Sequence, residues 1–339
     1  MADENKVTIK DIADMAGVST ATVSRILNGK SVVKESTKQR VQEIMQDLNY
    51  HPNAVARSLQ AERIFTIGIV IPDIANTYHS EVFRGVEEVA RAEGYSTLIY
   101  NTDYDVEKER DALHHLRSKK VDGLILQVSN RVTDECKSLV EMGYPIVLLG
   151  QFLEGVACPK VGCNNFSSAY TMTEYLIKAG HTAIAHVGGH RETCTGVQRM
   201  QGYMSAMENY GLKVRPEWNL HTNYSLSDAF DQTIKMLEQA ELPTAIFAAN
   251  DSIAVGCYQA ILEKGLRIPE DISLAGHDDM SFASILRPKL TTMRQKKREI
   301  GRIAARKLLA SLHMEKPLGT DIVIVPTELV ERESVKKLS

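Results

Sequence analysis

One face of a short N-terminal helix carries side chains suited to contact DNA bases. The helix is predicted over Ser19 to Leu27, and its apolar residues Val23, Ile26 and Leu27 recur at helical spacing, so they should face a small core. Its opposite face presents Thr20, Ala21, Thr22, Ser24 and Arg25. A guanidinium can donate two hydrogen bonds to one guanine, and hydroxyl or methyl groups can contact other base edges. The residue types alone leave open the alternative of an ordinary solvated helix face.

Catalytic motifs are missing from the sequence. Gly188-Gly189 lacks the third glycine of a dinucleotide-binding loop, and Gly68 lies inside a predicted strand. With no HExxH motif or nucleophile elbow, the run His277-Asp278-Asp279 does not predict a metal or acid–base site. We therefore predict a protein that is not an enzyme and uses no cofactor or metal. A sugar-metabolising enzyme with similar α/β lobes is the first rival interpretation.

The chain is long enough for more than one domain and carries little net charge. Its 339 residues favour a small module joined to a larger body, and the net charge of -3 means that DNA binding must depend on where the basic groups point. The sequence has no membrane-length apolar run and no recognisable secretory signal, which predicts a cytoplasmic protein rather than a periplasmic sugar-binding protein. The five cysteines form no CxxC pair and are predicted to be reduced and buried.

The first 48 residues are predicted to form three short helices. Thr8 and Asp11 match a capping box, Gly17 suits the turn after the first helix, and Ser19 is a good N-cap for the second. Apolar residues recur at helical spacing in three segments: Ile9 to Ala16, Val23 to Leu27 and Val41 to Leu48.

From Thr66 onward, strand-like apolar runs alternate with amphipathic helical stretches. This alternation is typical of doubly wound parallel sheets, and its restart after Gly162 predicts two lobes. The predicted strands of the first lobe are Thr66 to Ile71, Ser96 to Tyr100, Gly123 to Leu126 and Ile146 to Leu149. Those of the second are Ala183 to Val187, Ala245 to Ala248 and Ser273 to Gly276.

Four motifs in order resemble the lactose/galactose repressor (LacI/GalR) family of bacterial transcription regulators. They are Thr8 to Asn28, the hinge Tyr50-His-Pro-Asn-Ala-Val-Ala-Arg-Ser-Leu59, Ala-Asn-Asp-Ser-Ile-Ala-Val-Gly256 and Arg-Pro-Lys-Leu-Thr-Thr292. The resemblance spans essentially the whole chain. It implies an α/β protein with a small all-α helix-turn-helix headpiece (1–50), a hinge (51–63) and a two-lobed, doubly wound effector domain of the periplasmic-binding-protein type (64–339). Lobe one would comprise about 64–162 and 291–325, and lobe two about 163–290 and 326–339.

The resemblance implies a sequence-specific repressor that binds near-palindromic operator DNA as a homodimer or higher oligomer. Thr20, Ala21 and Arg25 match the family's base-reading positions. Phosphate contacts, which set the register on DNA, are expected from Ser19, Thr22, Ser24 and Asn28. Further DNA contacts are expected from Thr8, Tyr50, Asn53, Ala56 and Leu59.

The hinge is expected to contact the minor groove. By resemblance, hinge helices from two subunits pair there, and Leu59 wedges into the central base step. Pro52 suits the first position of a helix. So short a helix should be largely unfolded alone and should fold on DNA. Alternatively, Leu59 is an ordinary linker residue.

The resemblance also implies an effector site between the lobes, at the carboxyl ends of the strands. Arg199, Asn250 and Asp278 fall on the family's polar anchor positions. A guanidinium, an amide and a carboxylate suit a polyhydroxy ligand, so a sugar or sugar acid inducer is predicted. Asp251 could bind the ligand or could instead be the N-cap of the following helix, so Asn250 is preferred as the binding residue. The expected lining residues are Asp73, Tyr78, His79, Thr195 and Tyr224.

One stretch departs from purine-responsive relatives. Those proteins carry an acid–aromatic pair after the strand that ends near Leu149, where this chain has Gly150-Gln151-Phe152. The difference argues against a purine corepressor. The alternative that remains is a corepressor-dependent regulator responding to another metabolite or to a phosphorylated carrier protein.

Overall fold

The chain divides into two units, Met1–Ile64 and Phe65–Ser339, in a computed structural model of the full sequence. The structure describes residues 7–27, 33–48, 50, 63–118, 120–150, 152–314 and 319–338. Within these ranges, no helix has both the length and the apolar character needed to cross a bilayer.

The first unit contains the predicted helices α1 (Ile9–Ala16), α2 (Thr20–Leu27) and α3 (Glu35–Asp47). Thr8 N donates to Asp11 Oδ2 at 2.8 Å and Asp11 N donates to Thr8 Oγ1 at 3.3 Å, which confirms the capping box. Gly17 ends α1 with φ 62°, a left-handed conformation that glycine adopts without steric cost. The small core is built from Ile12, Ala13, Ala16, Val23 and Val41.

The strands of lobe one, in the second unit, are β1 (Thr66–Ile71), β2 (Ser96–Asn101), β3 (Gly123–Leu126), β4 (Ile146–Leu149), β5 (Lys160–Gly162) and β11 (Ile322–Ile324). Its helices are α4 (Thr77–Ala92), α5 (Val106–Arg117), α6 (Thr133–Glu141) and α11 (Lys297–Met314). The strands form a parallel six-stranded sheet in the order β11-β5-β4-β3-β1-β2. Alternate side chains of β1 enter different cores: Ile69 packs with α4 and α11, and Val70 packs with α5 and α6. Burial on both faces explains the continuous apolar runs in the sequence.

The strands of lobe two are β6 (Ile184–Gly188), β7 (Asn219–His221), β8 (Ala245–Ala248), β9 (Ser273–Asp278), β10 (Thr291–Arg294) and β12 (Glu328–Val330). Its helices are α7 (Asn165–Lys178), α8 (Cys194–Asn209), α9 (Leu226–Leu237) and α10 (Asp251–Glu263). The strands form a six-stranded sheet in the order β12-β10-β9-β8-β6-β7, in which only β12 is antiparallel to its neighbour. Ile246 of β8 packs with α9 and α10, and its neighbour Phe247 packs with α7 and α8.

The boundary predicted between the lobes at residue 291 was wrong. Thr291 pairs with Ala275 and Thr292 with Gly276, so β10 belongs to the sheet of lobe two. The chain returns to lobe one only at α11, which packs on β3 and β4. A strand of four residues is too short for its sequence pattern to show which of two similar sheets it joins. Only its pairing with β9 decides this.

Candidate functional site

The exposed face of α2 holds the residues predicted to contact bases. Thr20, Ala21 and Arg25 are exposed, whereas Val23 is fully buried in the core of the first unit. These three side chains are therefore available to a second molecule, and the arginine fork has the geometry to recognise guanine.

Other predicted DNA contacts take part in local structure. Ser19 Oγ accepts a hydrogen bond from Thr22 N at 3.2 Å, so Ser19 provides the N-cap interaction expected for α2, and the two hydroxyl oxygens lie 2.9 Å apart. Ser24 is half-buried, and Tyr50 packs against the core of the first unit. The hydroxyl of Thr8 takes part in the capping box of α1. The predicted contacts that lie outside the described residues are Asn28, Asn53, Ala56 and Leu59, together with Pro52.

Loops from both lobes enclose a cavity at the carboxyl ends of the strands, which we call the inner cavity. It measures about 50 Å³. That volume holds about four water molecules, so a larger ligand requires the lobes or the lining side chains to move. Asp73 is not among its lining residues; its Oδ1 accepts from Ala75 N at 2.8 Å and shapes the loop after β1. The other predicted effector residues line it: Tyr78, His79, Thr195, Arg199, Tyr224, Asn250 and Asp278.

Arg199 and Asp278 form a buried ion pair. Their Nη2 and Oδ1 atoms are 3.6 Å apart, and the two side chains are only 6% and 5% exposed. Arg199 Nε donates to Asn165 Oδ1 at 3.0 Å, and Nη1 donates to the Ala249 carbonyl at 2.5 Å. The guanidinium is thus held in one orientation by groups of lobe two.

Asp278 is the main hydrogen-bond acceptor of the cavity. Its Oδ1 accepts from His277 Nδ1 at 2.9 Å and from Gln295 Nε2 at 2.6 Å. Burial acts to raise the pKa of Asp278, but Arg199 and His277 outweigh it and lower the pKa below its ordinary value. Burial lowers the pKa of His277 to about 4. At neutral pH the site therefore contains a carboxylate and a neutral imidazole.

Asn250, and not Asp251, caps α10. Asn250 Oδ1 accepts from Ile253 N at 2.8 Å, so its side-chain nitrogen is the atom that remains for a ligand. Asp251 is fully buried, and its carboxylate accepts from Met280 N and Thr292 Oγ1, each at 2.7 Å. Burial and the nearby Asp278 charge raise the pKa of Asp251 to about 8. The capping role considered for Asp251 was wrong because the extended backbone at an N-cap occurs one residue earlier.

Lobe one contributes neutral polar groups that are not fully hydrogen-bonded. His79 Nδ1 and Gln127 Oε1 are buried without a hydrogen bond of standard geometry to the described residues, although the Gln127 side chain interacts with His79 and acts to raise its pKa. Burial lowers the pKa of His79 to about 4, so its ring is neutral at physiological pH. Gln127 was not among the predicted effector residues, although its position directly after β3 could have indicated it.

Two tyrosines from opposite lobes stack at the edge of the inner cavity. The rings of Tyr104 and Tyr224 have centroids 5.8 Å apart and planes inclined by 15°. Both residues have φ 60°, an unfavourable conformation for non-glycine residues that often occurs at functional sites. Tyr224 Oη lies 3.2 Å from Thr195 Oγ1. Tyr104 was also missed, because it lies four residues beyond the predicted end of β2.

The described residues contain no group of three or more His, Cys, Asp or Glu side chains that could hold a metal ion. None of the five cysteines forms a disulfide, and all of them except Cys194 are buried. Burial raises the pKa of Cys163, at the cavity wall, to about 11, so this thiol is protonated.

Both the sequence and the structure match known proteins along nearly the whole chain. Residues 8–53 match bacterial regulatory proteins of the lacI family, and residues 173–335 match a periplasmic binding protein-like domain. The HTH-type transcriptional repressor PurR of Histophilus somni is 37% identical over 334 residues, which cover 98% of this chain and 99% of that protein. The chain belongs to the lacI family of bacterial regulatory proteins.

Solved structures of other lacI-family regulators share this fold. The Lac repressor dimer bound to operator and the anti-inducer ONPF is 28% identical with a TM-score of 0.86, and the match covers 98% of this chain and 100% of that one. A lacI-family regulator from Enterococcus faecium with bound ribose is 29% identical with a TM-score of 0.71, and the match covers 81% and 100%. The shared fold confirms the predicted fold class. The family membership confirms that this chain is a DNA-binding transcription repressor and not an enzyme.

Proposed function

We propose that this repressor binds a near-palindromic operator as a homodimer and releases it when a sugar or sugar acid binds between its lobes. The observation that carries the proposal is the meeting of Arg199, Asn250 and Asp278 of lobe two with His79 and Gln127 of lobe one at the inner cavity. A ligand that contacts both walls stabilises one arrangement of the lobes over others.

The hydrogen-bonding groups of the inner cavity suit a polyhydroxy ligand. Asp278 accepts hydrogen bonds, Arg199 and the nitrogen of Asn250 donate them, and His79 Nδ1 and Gln127 Oε1 have no hydrogen bond of standard geometry to the described residues. A hydroxyl group both donates and accepts, so a polyol can satisfy an unpaired acceptor and an unpaired imidazole nitrogen together. Leaving such groups unsatisfied costs about 1–3 kcal/mol each, which is recovered when a ligand pairs with them. The bound ribose of the Enterococcus faecium relative supports the same ligand class.

On the DNA side, we propose that Arg25, Thr20 and Ala21 contact base edges in the major groove. Their exposure on α2 supports this role. Because one chain contributes a single short helix of this kind, we expect two chains to be needed to recognise an operator of useful length. We expect ligand-driven closure of the lobes to weaken specific binding and to leave nonspecific phosphate attraction nearly unchanged.

The test is operator release, measured by fluorescence anisotropy against a panel of sugars, sugar acids and purine bases at constant ionic strength. We expect at least one sugar or sugar acid to release the operator. Gln127→Ala should raise the concentration needed for half release by roughly tenfold, because one buried hydrogen bond is lost. The exposed Gln201 of α8 offers a matched control, and Gln201→Ala should respond like the unchanged protein.

Other outcomes contradict specific parts of the proposal. No response to any sugar or sugar acid would remove the ligand class, and a response to purine bases alone would replace it. If a ligand tightens operator binding instead, the cavity assignment stands, but the protein is a corepressor system.

A further inference from the structure

A second cavity opens beside the inner one, and we call it the outer cavity. It measures about 350 Å³. Lobe one contributes Arg131, which follows β3, and lobe two contributes the loops after β6 and β7. From lobe two its lining residues are His190, Arg191, Glu192, His221, Thr222 and Asn223.

Basic side chains dominate the outer cavity. Two guanidinium and two imidazole groups line it, and Glu192 is the only acid among its described lining residues. The exposed Arg191 makes no ion pair or hydrogen bond with the described residues. Burial and the nearby Arg191 lower the pKa of His221, and a hydrogen bond to the Gly189 backbone opposes them. His221 is therefore a neutral hydrogen-bonding group at neutral pH, and the guanidinium groups supply the positive charge of the outer cavity.

Glu192 already occupies the place of an anion. It forms an ion pair with Arg131 across the two lobes, and hydrogen bonding to Arg131 lowers its pKa, with a smaller contribution from His190. The Asn130 amide also donates to the Glu192 carbonyl at 3.4 Å. A carboxylate from lobe two thus binds an arginine of lobe one, which shows that this position attracts negative charge when the lobes are close.

We infer that the outer cavity binds the anionic group of the effector, a carboxylate or a phosphate, between Arg131 of lobe one and Arg191 and His221 of lobe two. The inference rests on the proposed function, because the polyol part of the same ligand occupies the inner cavity. The two cavities are adjacent, because residues 190–192 and 221–223 line the outer cavity while the next residues, Thr193 and Tyr224, line the inner one. The fork of an arginine matches both carboxylate and phosphate, so the two sources share one chemistry. Glu192 competes for Arg131 and repels the incoming anion.

The first experiment titrates inorganic phosphate against the full chain by isothermal calorimetry, with chloride adjusted to keep ionic strength constant. The headpiece also attracts phosphate, so dependence on Arg191 decides the assignment. Arg191→Gln should weaken binding roughly tenfold, as expected for one charge-assisted hydrogen bond, and Arg191→Lys should recover part of the loss. Glu192→Gln should instead strengthen binding several-fold. Arg117→Gln is the matched control, because Arg117 is an exposed arginine of α5 that does not line this cavity.

Equal weakening in Arg191→Gln and Arg117→Gln would overturn the inference, because general surface charge would then explain the binding. An unchanged phosphate affinity in Glu192→Gln would also overturn the inference. Arg191→Gln and Glu192→Gln alter no residue of the inner cavity, and both positions are exposed. Loss of the binding signal in these variants is therefore not expected to result from a failure to fold.

The second experiment compares operator release by a hexose, its aldonic acid and its 6-phosphate. We expect at least one of the two anionic forms to act at a roughly tenfold lower concentration than the neutral sugar, and Arg191→Gln should remove that advantage only. If phosphate binds through Arg191 but neither anionic form has an advantage, the site takes a free anion and its assignment to the effector fails. If no sugar acts while phosphate still binds through Arg191, the proposed function fails and the anion site stands.

Discussion

Helix α2 and the inner cavity hold the side chains proposed to bind DNA and effector in opposite ways. On α2, Thr20, Ala21 and Arg25 are exposed and are supported by a small core behind them. In the cavity, Arg199 and Asp278 are buried and neutralise each other, and neighbouring residues hold them in place. If these side chains have the proposed roles, DNA recognition is separable from stability, whereas effector recognition depends on residues that also hold lobe two together.

The largest effect should come from the buried pair. Asp278→Ala leaves Arg199 buried without its counter-charge, which should cost the second unit about 3–5 kcal/mol of unfolding free energy. It should also abolish release by the effector, while operator affinity stays near normal where the variant is folded. Chemical denaturation measures the unfolding free energy, and fluorescence anisotropy measures operator binding and its release. The exposed Asp231 supplies the control, and a loss in Asp278→Ala no larger than in Asp231→Ala would contradict the comparison.

The protonation of Asp251 gives a pH test of the same buried region. Because its pKa is raised from 3.8 to about 8, the folded chain keeps a proton that the unfolded chain has lost across this range. The unfolding free energy should therefore fall as pH rises toward 8, by at most about 1.4 kcal/mol per pH unit. Buried His79, His186 and His277 have lowered pKa values, so they oppose this trend, most strongly below their ordinary value of 6.5.

The difference between the unchanged protein and Asp251→Asn from pH 6.5 to 8 isolates Asp251, because the histidines contribute equally to both proteins. Asp251→Asn removes the titrating group and should flatten the fall in unfolding free energy there. Denaturant unfolding at several pH values measures it. An unchanged slope would show that Asp251 is ionised in the folded protein throughout.

The smallest effect on stability, and a specific effect on DNA, is expected at Arg25. Arg25→Ala should weaken binding to the operator roughly tenfold to a hundredfold and relax preference at one position per half-site, with unfolding unchanged. Lys10→Ala removes another exposed cation of the first unit and serves as the charge control. Binding assays on operator and random DNA distinguish the cases. An equal loss on both DNAs for Arg25→Ala would make Arg25 a phosphate contact and remove the specificity assigned to α2.

Local patterns in the sequence predicted much of both units. The capping box at Thr8 and the strands Thr66–Ile71, Gly123–Leu126, Ile146–Leu149 and Ala245–Ala248 agree with the structure residue by residue. Short edge elements such as β7 and β12 escaped prediction, because three residues show neither a helical nor a strand period.

By itself, the sequence determined the elements, the family and the exposed residues of α2, because these depend on periodicity, caps and motifs contained in short stretches of chain. Only the tertiary structure decided that Asn250 rather than Asp251 caps α10, that Gln127 and Tyr104 line the inner cavity, and that Arg131 pairs with Glu192. These outcomes depend on contacts between residues far apart in the chain. The ionisation of Asp251 and Asp278 likewise follows from burial and neighbouring charge, which exist only after the loops of separate strands have come together.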